Sequence, residues 1–137
     1  MHSTLEKVLL LKSIDLFSQI RGEALSQVAL VSTEVEHEPG DEVFAEGESG
    51  DALYLVLGGK VRVHRNDRVI AELGERECFG EMAILDPAPR TATVTAISDT
   101  RLLRIAREDF QEIIAEKPEI ALGIIQVLTR RLRNSAR

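Results

Sequence analysis

One stretch, Phe79-Gly80-Glu81-Met82-Ala83-Ile84-Leu85-Asp86-Pro87-Ala88-Pro89-Arg90-Thr91-Ala92-Thr93-Val94, constrains the fold of this 137-residue chain more than any other. Pro87 and Pro89 lack an N–H and push Asp86 and Ala88 out of the helical region, so neither a long helix nor a central strand can pass through them. Glu81 to Leu85 are good helix formers, and a helix of little more than one turn is expected there. Gly80 lets a ligand come close to the backbone where a strand ends. A helix this short leaves most of its N–H groups without internal partners and carries partial positive charge at its start, which suits phosphate. Arg90 follows the prolines with limited backbone freedom, so its guanidinium is aimed. A planar fork of donors matches a phosphate with two open oxygens. Thr91 adds a hydroxyl beside it. Glu81 repels phosphate, and makes sense if the ligand also presents a hydroxyl at sugar distance. Phosphate plus ribose hydroxyl describes a nucleotide.

The rest of the chain reads as helices, strands, helices. Leu5 to Lys12 and Gly22 to Ser32 form two short helices, with Phe17 in the link. From Thr33 the pattern shifts to short strands. Pro39-Gly40-Asp41 is a turn, because proline presets φ and glycine accepts positive φ. Gly47-Glu48-Ser49-Gly50-Asp51 is a loop. Asp51 to Leu57 is a strand, and Gly58-Gly59 signals a hairpin into Lys60 to His64. Asn66-Asp67 turns the chain into Arg68 to Leu73, closed by Gly74. Ala92 to Ala96 and Thr100 to Ile105 are two more strands, joined around Ser98-Asp99. Arg107 to Glu116 is a helix, and Pro118 opens a longer one whose apolar stripe runs from Ile120 to Leu132. Arg130, Arg131, Arg133 and Arg137 crowd its C-terminal end, where the helix dipole favours positive charge.

Composition narrows the function. A net charge of −6 argues against a general nucleic-acid surface, so a phosphate ligand must be held in a local pocket. With 44% hydrophobic but only 4% aromatic residues, the core is expected to be mainly Leu, Ile, Val and Ala. The single Cys78 excludes an internal disulfide and suits a reducing compartment, so a cytoplasmic location is expected. No signal peptide or membrane span is expected, since the apolar runs are too short. His2, His37 and His64 lack metal-ligand spacing, Gly59-Lys60-Val61 lacks the Walker pattern, and Ser and Cys residues have no evident base partner. Neither an enzyme nor a metal or cofactor site is expected.

Phe79-Gly80-Glu81 followed by Pro89-Arg90-Thr91-Ala92 resembles the phosphate-binding cassette of cyclic nucleotide-binding domains, the family of the catabolite activator protein and the regulatory subunits of cAMP-dependent kinase. The resemblance spans roughly Phe17 to Leu132. It implies an α+β fold, an antiparallel, jelly-roll-like β-roll of about eight strands flanked by N-terminal and C-terminal helices. One domain would cover 1–137: helices in 1–32, the β-roll in 33–106 with its cassette at 79–92, and helices in 107–135. Arg90 would hold the exocyclic phosphate oxygens and Glu81 the ribose 2′-hydroxyl. The N–H groups of Gly80, Met82, Ala83 and Ala92 would share the phosphate. Val63, Ala71 and Leu73 would wall the base, with Phe79 nearby.

Thr91 tolerates both cAMP and cGMP, and cAMP is favoured by class. The last helix would move on binding. Since no aromatic follows Phe110, Leu128, Arg131, Leu132 and Ser135 are the lid candidates, unless a partner chain supplies the lid. A β-roll that has lost its ligand and serves only assembly is the alternative. No helix-turn-helix, kinase, channel or cyclase segment is present, so a regulatory module, excised or stand-alone, is expected. A homodimer or a fused effector domain stays open.

Overall fold

The computed structural model describes residues 2–135, beginning with a capped helix. Ser3 Oγ accepts from the Glu6 N–H at 3.1 Å while Glu6 Oε1 accepts from the Ser3 N–H at 3.0 Å. This reciprocal box satisfies two donors that a helix start would otherwise leave open, and fixes the beginning of α1 (Thr4–Lys12). A single 3₁₀ turn at Asp15–Phe17 leads to α2 (Gly22–Val31). Further along the chain come α3 (Arg107–Glu116) and α4 (Glu119–Ser135). Pro118 stands immediately before α4, where its missing N–H costs no helical bond.

The chain divides into two compact units, one helical, made of the residues up to Val31 and those from Glu108 on, and one of strands, Ser32–Arg107. Within the helical unit Phe17 stacks on Phe110 at 5.6 Å, and both rings are fully buried. Gly123 lets α4 lie close to Gln19 and Ile20, where an added Cβ would come within 3.2 Å of both. Arg131 donates to Asp15 Oδ2 at 2.9 Å.

The strand unit holds two four-stranded antiparallel sheets. One runs in the order β1 (Thr33–His37), β8 (Thr100–Ala106), β3 (Ala52–Gly58), β6 (Cys78–Phe79). The other runs β2 (Glu42–Phe44), β7 (Thr93–Ala96), β4 (Val61–Arg65), β5 (Arg68–Leu73). Their inner faces close over Ala52, Tyr54, Val56, Val61, Phe79, Val94 and Leu102. Aliphatic residues dominate, but Phe44, Tyr54 and Phe79 form an aromatic cluster with centroids 5.2 to 6.0 Å apart. The expected antiparallel β-roll with flanking helices is present.

Asn66-Asp67 makes the expected hairpin, with Arg65 paired to Arg68 and Asn66 at φ 53°. Gly58-Gly59 does not. The strands it joins belong to different sheets, β3 to the first and β4 to the second. Gly59 adopts φ +88°, and a Cβ there would lie 2.3 Å from Asp99 O, so glycine serves a corner where two connections cross. The dipeptide marked a change of chain direction but said nothing about which strand would be the partner, and of the two glycines only Gly59 takes positive φ.

The helix expected from Glu81 to Leu85 is a 3₁₀ turn, Glu81–Ile84, entered through Gly80 in the left-handed region at φ 72°, ψ 17°. The Leu85 and Asp86 N–H groups both donate to Met82 O, at 3.1 and 2.9 Å, and Pro87 then ends the turn.

Candidate functional site

The segment carrying the arginine is pinned by its backbone before its side chain does anything. Arg90 N–H donates to Glu48 O at 2.7 Å, Gly47 N–H donates to Arg90 O at 2.9 Å, and Gly50 N–H donates to Ala88 O at 3.2 Å. Ser49 and Pro89 form a β-bridge between these same strips. The loop from Gly47 to Asp51 therefore anchors the Pro-Ala-Pro-Arg strip. Gly50 is needed for the fit, since a Cβ on it would lie 2.9 Å from both Ala83 Cβ and Ala88 O.

From that anchor Arg90 turns inward and is only 8% exposed. Its Nη2 donates to Ala52 O at 2.8 Å, and Cζ sits 3.9 Å above the centre of the Phe44 ring. Asp51 Oδ1 is 3.9 Å from Nη2, and Asp51 Oδ2 is 3.5 Å from Arg104. Gly80 makes room for the head group: a Cβ there would lie 2.6 Å from Nη1. Burial lowers the Arg90 pKa from its ordinary value, and Tyr54, Asp51 and Glu48 act in the opposite sense. Arginine stays charged in any case. Its Nε is buried with no hydrogen-bond partner among the described residues. A buried charged group with an unmet donor is costly, and such groups call for an explanation.

A cavity of about 440 Å³ lies beside it. That volume falls in the range of about 300–1,000 Å³ typical of small-molecule sites. Its wall brings together Phe79, Gly80, Glu81, Met82, Ala83, Arg90, Thr91, Ala92 and Val63, all singled out from the sequence. Ala71 and Leu73 are not in that wall. They pair with Val63 and Val61 across the β4–β5 ladder, and Leu73 packs against the core. The Ala83 N–H donates to Gly80 O at 3.2 Å, inside the turn. Thr91 is exposed, and its carbonyl accepts from Arg65 Nε at 2.8 Å. Leu128, Arg131, Leu132 and Ser135 all lie on α4 in the helical unit, where Ser135 Oγ donates to Leu132 O at 3.1 Å.

Sequence reasoning missed Phe44, which backs the guanidinium, and Ala52 O, which receives it. It also missed Cys78, which lines the cavity with Sγ 3.9 Å from Glu81 Oε2. Two glycines flanking a short polar loop, with an acid at the head of an apolar strand, were the available signal for the anchor. A larger hollow of about 700 Å³ sits at the Gly58 and Thr100 end of the first sheet. Its wall carries Glu36, Glu38, Asp41 and Asp99 beside Arg101, an arrangement unsuited to an anion. Among the described residues no group of His, Cys, Asp and Glu could hold a metal ion, and no helix is long and apolar enough to cross a membrane.

The family model described as the cyclic nucleotide-binding domain matches residues 34–117. A CRP-like cAMP-activated global transcriptional regulator of Mycobacterium tuberculosis is 34% identical over 125 residues, 88% of this chain and 56% of that protein. The chain thus spans a little over half the length of that relative. The N-terminal domain of a transcriptional regulator from Streptomyces coelicolor superposes with a TM-score of 0.86 at 35% identity, covering 92% of this chain and 94% of that one. The regulatory domain of Toxoplasma gondii PKA, solved with cAMP, superposes with a TM-score of 0.75 at 32% identity, covering 80% of this chain and 44% of that one.

Proposed function

The chain belongs to the cyclic nucleotide-binding domain family, a family of regulatory binding modules, and from that premise we propose that it binds cAMP in the cavity between Arg90 and Glu81. The observation that carries this reading is the Arg90 guanidinium, nine-tenths buried at the cavity wall with its Nε unmatched. A bound cyclic phosphate supplies a counter-charge to the buried guanidinium. Glu81 takes the ribose 2′-hydroxyl, and the N–H groups of Gly80, Met82 and Ala92 add donors to the phosphate. The Ala83 N–H joins them only if it leaves Gly80 O. Val63 and Phe79 offer the base an apolar wall, extended by Ala71 and Leu73 if the ligand draws β5 inward. Thr91 is compatible with cGMP as well. The names of the relatives, one cAMP-activated and one solved with cAMP, support cAMP.

The proposed output runs through the C-terminal helix, with Leu128, Arg131, Leu132 and Ser135 as its ligand-responsive residues. Only contacts that differ between two states of that helix can shift its equilibrium. The Arg131–Asp15 pair is a restraint that can be released, since both side chains are substantially exposed, at 39% and 65%. Such surface pairs contribute about 0.2–1 kcal/mol.

The test is a cycle between protein and ligand. Glu81→Gln removes the charged acceptor, whose hydrogen bond contributes roughly 1.5 kcal/mol or more, so cAMP affinity should fall about tenfold. Calorimetry with 2′-deoxy-cAMP should show little further loss in the variant, because the two changes remove one interaction. Equal, additive losses would mean that Glu81 does not hold the sugar.

A further inference from the structure

We propose that Phe44 is a positioning residue of the anion site: the negative face of its ring holds the Arg90 guanidinium in the orientation that meets the ligand phosphate. The inference rests on the nucleotide reading of the cavity and names what presets the arginine for it.

Strand β2 is shaped to bring this ring inward. Its pairing with β7 matches Glu42 with Thr95 and Phe44 with Val94, so Val43 is an extra residue in the ladder. Such a bulge bends the strand and re-aims its side chains. In a regular strand Val43 and Phe44 would face opposite sides of the sheet, whereas here both pack against the same core. Phe44 thereby reaches the cavity wall that it shares with Arg90. Tyr54 and Phe79 brace the ring, with centroids 6.0 and 5.9 Å away and planes tilted by 42° and 49°. The guanidinium carbon lies 3.9 Å from the ring centre. A cation that close to an aromatic face is attracted by it, and more strongly where water is excluded, as it is at the buried Arg90.

The ring matters because the guanidinium has a competing partner. Asp51 Oδ1 is 3.9 Å from Nη2, on a side chain that is 63% exposed. The hydrogen bond from Nη2 to Ala52 O holds one nitrogen and leaves the plane free to turn, and the ring fixes the plane. Without the ring's pull the guanidinium turns towards Asp51 in part of the population. Only the chains that still present it to the cavity bind ligand, and apparent affinity falls by that fraction.

The test replaces Phe44 alone with phenylalanines carrying one, two and three ring fluorines and titrates each protein with cAMP. Fluorine draws electron density off the ring face and leaves the ring's shape nearly unchanged, so the attraction fades while the packing stays. Affinity should fall stepwise, reaching about tenfold with three fluorines, and Phe44→Leu should lose a similar amount. In the Arg90→Ala background the same series should be flat, because the two changes remove one interaction. A stepwise fall of equal size in that background would show that the ring packs the wall without positioning the arginine, and overturns the inference. Affinity that fluorination leaves unchanged or raises overturns it too, and leaves the nucleotide reading intact. Protein with its own Phe44 that does not bind cAMP overturns the nucleotide reading and this inference with it.

Discussion

Arg90→Ala should lower cAMP affinity at least ~30-fold, because truncating one partner of a buried charge pair costs about 2–5 kcal/mol. The ligand would still enter the cavity, but its phosphate would be desolvated without a counter-charge. The effect on the empty protein should be much smaller, since two consequences oppose each other. The variant loses the hydrogen bond from Nη2 to Ala52 O and the contact with the Phe44 face. It also escapes the cost of a buried guanidinium with an unmatched Nε. Affinity should therefore fall steeply while the urea midpoint without ligand moves little. Arg90→Lys keeps the charge but loses the planar fork and its fit over the ring, and should fall between the two. Titration calorimetry on the three proteins decides the matter. An unchanged dissociation constant for the alanine variant would remove the arginine from the site.

Gly80→Ala should be nearly as damaging, although it deletes nothing that touches the ligand. At φ 72° an L-residue is disfavoured by roughly 1–2 kcal/mol. The added Cβ would stand 2.6 Å from Arg90 Nη1 and 3.1 Å from Ala52 O. The carbonyl is backbone within a strand and yields little, so the guanidinium has to move. The phosphate then loses the partner that Arg90→Ala removes, and an affinity loss of about 30-fold or more is expected from the same range. Unlike Arg90→Ala, this variant should also melt at a lower temperature without ligand. Normal binding despite lowered stability would show that the arginine tolerates displacement and that Gly80 serves only the turn.

These two residues also show what was legible in the sequence. Pro87, Pro89 and Gly80 act on their own backbone, so the short turn, its end and the aimed arginine could be read locally. The reason for Gly80 could not. It appeared to leave room for a ligand, whereas the structure fills that room with the guanidinium. What the guanidinium rests on lies far away in the chain: Ala52 is 38 residues from Arg90. Nothing in Glu42-Val43-Phe44 marks its ring as the platform. The Gly58-Gly59 corner failed for the same reason. Its conformation is local, but the neighbour that requires glycine is Asp99 O, brought there by closure of the two sheets. Asn66-Asp67, whose strands do pair with each other, was readable. Patterns of one strand or one turn reported the elements, and the long-range pairing of the β-roll decided which of them met.

On the proposed reading, a buried arginine and a nearby carboxylate together select a cyclic phosphodiester of a nucleoside. Titrating the unmodified protein with cAMP and with 5′-AMP tests it most directly. The cyclic diester carries one negative charge and fixes its phosphate relative to the 2′-hydroxyl, so both partners can be met at once. The acyclic monophosphate rotates freely and brings a second charge towards Glu81. Saturable binding of one cAMP per chain at micromolar strength, about −8 kcal/mol, is expected, with 5′-AMP at least ~10-fold weaker. Equal affinity for the two ligands, or no binding of either, would contradict it.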